Sequence, residues 1–289
     1  MTTRSERTTR IEVVVGSVAA LALLLVALGQ AEPTPNAVRD SGAGVLAATP
    51  TRTPTRTPTR TGTPTRTPTC PPQPARTPHP CVAPTGTPVF ADVAASHWAR
   101  CRIEEINTAG IMVGCGSTYF CPDELVTRED MAVHLEKYLH GAAYTPPPLP
   151  IGTPRFTDVP RTYGMVGWIE QLATDGITAG CGGGLYCPYS HLTRREMSVF
   201  LSASLKQKLG ECIPTMGSVA GQPYNCVSGG ASLFADVLPT DWGCPFVHYI
   251  YLKGVTAGCG TNAQGQRLFC PDGYVKRSEM AVFLAGCMN

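Results

Sequence analysis

The sequence holds little of what catalysis needs. Its six histidines (His79, His97, His134, His140, His191 and His248) are scattered over 289 residues. It has no Gly-x-Ser-x-Gly, no His-Glu-x-x-His, no phosphate loop and no dinucleotide fingerprint. An enzyme needs a convergent acid, base or nucleophile, so the expectation is a protein with no catalytic residues and no cofactor. Charge is also sparse, at 15% of residues, and it is unevenly placed. Residues 1–89 carry nine Arg against four acids, or +5, and the whole chain is +2, so residues 90–289 sum to about −3. A mildly acidic region lacks the basic face that phosphate binding requires, which excludes nucleic acid as its partner. Cys-x-x-Cys is absent as well, and no metal is expected.

Cysteine itself is abundant, with thirteen residues. The recurring pairs are Cys115 and Cys121, Cys181 and Cys187, and Cys259 and Cys270, enclosing five, five and ten residues. A zinc site tolerates variable spacing poorly, whereas a disulfide needs only that its two ends meet. Three disulfides of this kind would each contribute roughly 2–3 kcal/mol by the chain-entropy relation. They place the chain in an oxidising, extracytoplasmic compartment. Cys212 and Cys226 are expected to pair, as are Cys244 and Cys287. Cys70 and Cys81 either clip to one another or reach the first repeat. Cys101 is a free thiol or a partner for one of them.

Residues 1–31 open with Arg4, Arg7 and Arg10 and continue as an apolar run from Val13 to Gly29. That is an export leader, either a cleaved signal peptide or a retained N-terminal membrane anchor. Residues 32–89 include a Thr/Pro/Arg tract of period four, and proline at that density prevents helix and sheet. The reading is a disordered, extended, positively charged stalk, reaching roughly 180 Å at polyproline II rise. Its threonines are available for O-glycosylation.

The remainder is one pattern written three times. Phe90-Ala91-Asp92-Val93, Gly110-Ile111, Gly114-Cys115-Gly116, Cys121-Pro122 and Val126-Thr127-Arg128 recur in order from Phe156 and again from Phe234. The Phe lies 20 residues before the first glycine and 25 before the first cysteine in every copy. The copies span 90–140, 156–209 and 234–289, with linkers at 141–155 and 210–233. Each is too small to bury a good core alone, and three together make a domain of ordinary size.

Within a copy the apolar spacing reads helix, cysteine loop, helix. Ile103 and Ile106 share one face before Gly110; Ile169 and Leu172 do so before Gly176; Val247 and Ile250 precede Gly254. The second helices open with Met131, Met197 and Met280. Thr127-x-x-Asp130 and Thr193-x-x-Glu196 are capping boxes, and Lys276 breaks the third.

Phe-x-Asp-Val, a Trp near the first helix, Gly-Ile-x-x-Gly, then Pro and a Thr-Arg-x-Glu helix start resembles the S-layer homology (SLH) domain family, over some 200 residues and three tandem repeats. The resemblance implies an all-α fold, three helix–loop–helix repeats in a pseudo-threefold bundle with grooves between them. It implies a non-catalytic module of the bacterial cell envelope or surface. Such a module anchors by binding a cell-wall polysaccharide, often a pyruvylated one. The alternative is a structural surface-layer component acting through protein–protein assembly, with other envelope proteins as partners. Carried over by position, the polysaccharide-binding residues are Arg128, Arg194 and Arg277, whose guanidinium forks suit a carboxylate. Trp98 and Trp242 would stack on sugar faces. Asp92, Asp158 and Asp236 stand close enough in the pattern to join that set, or else to bridge the arginines internally. The second copy has Gly164 where the others have Trp, so at most two competent grooves are expected.

Overall fold

A computed structural model describes residues 70–288, apart from 72, 79 and 83. The chain divides into two units, Met1–Gly62 and Thr63–Asn289, and the first lies wholly outside the described residues. The leader and most of the stalk expected from the sequence fall there too. Among the described residues no helix is long and apolar enough to cross a membrane.

Each copy of the pattern supplies two helices. These are α1 (Arg100–Thr108) and α2 (Arg128–His140), α3 (Val166–Thr174) and α4 (Arg194–Leu209), then α5 (Cys244–Leu252) and α6 (Arg277–Cys287). Thr127 and Thr193 each accept the backbone N–H of the acid three residues on, and that acid accepts the N-cap's own N–H. In α6 half of this box survives. Glu279 still accepts from the Lys276 backbone N–H, but the Lys276 ammonium reaches Asp123 at 2.8 Å. Lysine has no lone pair to offer a helix start.

No helix pairs chiefly with its own copy's partner. α2 packs on α3, α4 on α5 and α6 on α1, so each copy lends its second helix to the first helix of the next. The short segments before α2, α4 and α6 close the circuit. The Val126 N–H donates to Val275 O, the Val275 N–H to Leu192 O, and the Leu192 N–H to Val126 O, at 2.9–3.0 Å. Around these bonds lie Ile103, Ile106, Met131, Leu135, Ile169, Leu172, Met197, Leu201, Val247, Ile250, Met280 and Leu284, all fully buried in one continuous core. The copies therefore bury their apolar stripes against one another, as their size requires.

The fold is helix-rich but carries two short hairpins that an all-α reading omits. β1 (Met216–Val219) pairs with β2 (Gln222–Asn225) through Ala220-Gly221, both at positive φ, the turn that matches strand twist. β3 (Gly260–Thr261) and β4 (Arg267–Leu268) pair within the longer third cysteine loop, so its five extra residues are used as a hairpin tip.

Cys115–Cys121, Cys181–Cys187 and Cys259–Cys270 are disulfides as expected. Cys81 bonds Cys101, so a stalk cysteine reaches the first repeat, one of the two alternatives the sequence left open. Two expected pairings differ: Cys212 bonds Cys70, not Cys226, and Cys226 bonds Cys244, not Cys287. Cys287 is a free, buried thiol, which burial pushes up to about 12. The physical reason is α6: its end turns Cys287 into the core, where the Tyr138 hydroxyl donates to its carbonyl. The β1–β2 hairpin instead carries Cys226 to the start of α5. Two bridges hold residues 70–89 against the folded unit, where the Arg76 N–H donates to Leu252 O and Arg100 Nη2 to Gly86 O. That stretch of the expected stalk is a strap.

Candidate functional site

The repeated acids and arginines meet at the cysteine loops, on one peptide group per copy. Asp92 accepts the N–H of Phe120 and of Cys121, at 2.8 and 2.7 Å. Asp158 accepts those of Tyr186 and Cys187, and Asp236 those of Phe269 and Cys270. Each of these second cysteines sits in the left-handed region, with φ between 56° and 59°. The paired N–H groups point one way there, and the carboxylate holds them. An Asp with both oxygens so engaged fixes the loop.

The carbonyl of the same aromatic residue takes the arginine of the preceding copy. Arg128 Nε donates to Tyr186 O, Arg194 Nε to Phe269 O and Arg277 Nε to Phe120 O, at 2.7–2.9 Å. The guanidinium of Arg128 lies between the Tyr186 and Phe200 rings, and that of Arg194 between Phe269 and Phe283, each at 5.1 Å from the centroid. The arginines are only 4, 4 and 8% exposed. They interlock successive copies through peptide carbonyls, and do not pair with Asp92, Asp158 or Asp236. Their own compensation comes from the next capping acid: Arg194 meets Glu279 at 2.7 Å and Arg128 meets Glu196 at 3.8 Å. Desolvation lowers the Arg194 and Arg277 pKa values, and the acids nearby oppose it.

Arg128, though nearly buried, still reaches the wall of an open groove. It lines a groove of about 330 Å³ with Gly180, Glu196, Val199, Phe200 and Trp242. All three copies contribute: Arg128 from the first, the loop and α4 from the second, Trp242 from the third. Trp242 is 57% exposed, with its ring 5.6 Å from the Arg195 guanidinium. The groove runs on past Ile177, Thr178, Ala179 and Val199 into a wider trough that reaches Lys206 and Asp175. Its chemistry is an aromatic face, a buried cation and an open, largely apolar trough that also carries Lys206 and Asp175. An aromatic face can stack on a flat or ring-shaped ligand, and a guanidinium can pair with an acidic group.

Trp98 occupies the equivalent position in the first copy and is 66% exposed, stacked on His97. Gly164 in the second copy leaves that place open, and Tyr163 beside it donates its hydroxyl to Glu129. Of the arginines and tryptophans singled out by repeat position, Arg128 and Trp242 line this groove. Gly180, Val199 and Phe200 belong to the repeated pattern but carry no site signal of their own in the sequence; Phe200 recurs as Phe283 and is replaced by His134 in the first copy. Gly180 is needed for close approach: a Cβ would lie 2.2 Å from Leu185 O and 2.8 Å from the Phe156 ring, at φ +94°.

His134 differs in kind from those phenylalanines. It is buried, neither ring nitrogen has a hydrogen-bond partner, and desolvation pulls its pKa down to about 4. His248 is also buried, but it is satisfied. The Leu233 N–H donates to Nε2, so Nδ1 carries the proton and donates to Cys244 O.

Residues 89–132 match the S-layer homology domain family. The matched stretch runs through the first copy from its Phe-x-Asp-Val to the start of α2. No curated protein matches the chain.

Proposed function

We propose, for this S-layer homology domain protein, a non-catalytic envelope anchor that grips a cell-wall polysaccharide in the groove lined by Arg128 and Trp242. S-layer homology domains are in general non-catalytic modules of cell-wall anchoring, which gives the chain a cell-envelope or surface location. The finer reading is that all three copies are such repeats in one pseudo-threefold assembly. The cyclic hydrogen bonds among Val126, Leu192 and Val275 and the circular pairing of helices support it.

The observation that carries the ligand reading is the meeting of an exposed tryptophan and a nearly buried arginine from different copies in one groove. A sugar face stacks on indole, and a ring carboxylate such as a pyruvate ketal finds the guanidinium. By register, Arg194 with Trp98 would form the second groove. Arg277 would face the copy that lacks tryptophan. Asp92, Asp158 and Asp236 support the loops and do not face the glycan.

The test is co-sedimentation of the oxidised protein with purified envelope polysaccharide, using Trp242→Ala and Trp98→Ala. Arginine truncation is the poorer probe, because it leaves a buried carbonyl unpaired between copies. Losing either ring should weaken binding roughly tenfold, by analogy with the ~1–3 kcal/mol that an aromatic ring contributes when a nucleobase stacks on it. Losing both should abolish it with the fold intact. Undiminished binding by the double variant would move the site elsewhere. Concentration-dependent assembly without any glycan binding would favour a structural surface-layer role.

A further inference from the structure

A second cluster of ionisable side chains lies at the far end of the trough, away from Arg128 and Trp242. Glu136 and His140 stand one turn apart near the end of α2, and Asp175 is the C-cap of α3, packed beside it. His140 Nε2 lies 2.7 Å from Asp175 Oδ2 and 3.3 Å from Glu136 Oε2. Single ligand atoms from all three residues fall within 4.8 Å of one another. Glu136 is 0% exposed, and neither of its carboxylate oxygens has a hydrogen-bond partner.

Electrostatics make this arrangement costly when empty. Both acids sit at helix carboxyl ends, where the macrodipole is already negative. Among the described residues, neither has a Lys or Arg within 4.0 Å. His140 Nε2 holds one proton and can satisfy one carboxylate, and Asp175 takes it. Glu136 is left with only the 3.3 Å contact to His140 Nε2 and the crowding of Asp175, a poor set of neighbours for a fully buried acid. Packing does not require it, because the same helix positions in the other junctions hold Ser202, Lys206 and Lys253, or Ala285 and Ala109.

The geometry points to a divalent metal site formed by Glu136, His140 and Asp175, of the Zn²⁺ class, between the first and second copies. Metal–ligand bonds of about 2.0–2.2 Å in a tetrahedron put ligand atoms about 3.3 Å apart. The His140–Glu136 separation already has that value, and Asp175 has to move back by about half an ångström. One imidazole with two carboxylates suits Zn²⁺, whereas Ca²⁺ takes six to eight oxygens. The fourth position is left for water. Support for the ligands is present: Gln171 Nε2 donates to Asp175 Oδ1 at 3.1 Å, and the Tyr144 ring stacks on the imidazole at 4.4 Å. The His140 side chain is 31% exposed, which gives the ion an entry path.

The test is titration of the oxidised full-length protein with ZnCl₂ after EDTA treatment, read by calorimetry, unfolding temperature and X-ray absorption. One Zn²⁺ should bind with nitrogen and oxygen ligands only and raise the unfolding temperature. Loss of an outer-shell partner costs metal sites ~10–100-fold, so His140→Ala or Asp175→Asn should cost ~100-fold or more. Should either fail to fold, Glu136→Gln keeps the shape, removes the charge and decides the matter by the same loss. No saturable Zn²⁺ binding, sulfur in the ligand shell, or affinity unchanged in Glu136→Gln would each overturn the site.

Discussion

The two ends of the three copies follow different rules. At the cysteine-loop end each copy repeats one device: an Asp on two N–H groups, an arginine from its neighbour on the adjoining carbonyl, and a disulfide around both. At the far end, where the second helix of one copy lies along the first helix of the next, the same positions hold quite different groups. One junction buries Glu136 beside His140 and Asp175. Another buries Lys253, paired with Glu211 at 2.5 Å, its ammonium donating to Pro74 O in the strap. The third has Ala285 and Ala109. The repeated end closes the ring, and a change there disturbs two copies at once. The far end has only to fill volume, so polar groups found there call for an explanation of their own.

The contrast is sharpest in stability. Gly180→Ala should cost about 3 kcal/mol or more, because a strained backbone and a steric clash act together. Gly116→Ala should be close to neutral, since a Cβ there meets nothing within 4 Å. Asp92→Ala, Asp158→Ala and Asp236→Ala each leave two N–H groups unpaired and should cost about 2–3 kcal/mol apiece. Urea midpoints on oxidised protein check all five. Three unequal Asp values would break the equivalence of the loops.

The first copy departs from the others at two neighbouring positions of α2, and pH separates them. His134, facing Asp130, Arg277 and Lys137, must stay neutral inside, with its pKa near 4 against 6.5 when free. Its unfolded form binds the proton first, so it removes stability as pH falls through that window. His134→Phe should gain about 1–2 kcal/mol at pH 7, and the gain should grow by up to ~1.4 kcal/mol per pH unit on acidification. Glu136 acts in the opposite sense. Burial, with Asp175 adding to it, raises its pKa from 4.5 to about 8. The folded form keeps its proton longer, so metal-free stability should fall as pH rises from about 4.5 to 8. Glu136→Gln should flatten that slope in EDTA. A slope unchanged in both variants would mean that other groups set the pH profile.

Much of this was readable from residues alone, and the reasons for the rest are physical. Period and spacing reported the six helices, the three small disulfide loops and the capping threonines, because these are local. The Asp and Arg positions were visible, but their partners were not: an N–H in the same copy and a carbonyl in the next become neighbours only when the ring closes. Cys212 and Cys226 illustrate the same limit. Their separation invites a loop, yet the Ala220-Gly221 turn sends Cys226 to α5 and the strap brings Cys70 to Cys212. The Glu136 cluster was hidden for the same reason, since its third member lies on another helix of another copy.

The smallest effect tests whether the third cap is a defect or a device. Lys276 stands where the other copies have threonine, and α6 keeps only the Glu279 half of its box. If the position served the helix alone, Lys276→Thr would restore a hydroxyl acceptor for the Glu279 N–H. That should add about 0.5–1 kcal/mol. Thr193→Lys should lose a similar amount from α4. But the Lys276 ammonium also reaches Asp123 of the first copy, next to the Leu125–Lys276 backbone bridge. An exposed ion pair is weak and fades with salt. The expected outcome is therefore a net gain for Lys276→Thr, largest in high salt. A loss instead would show that the tie between last and first copies matters more than the cap, and that the start of α6 serves ring closure first.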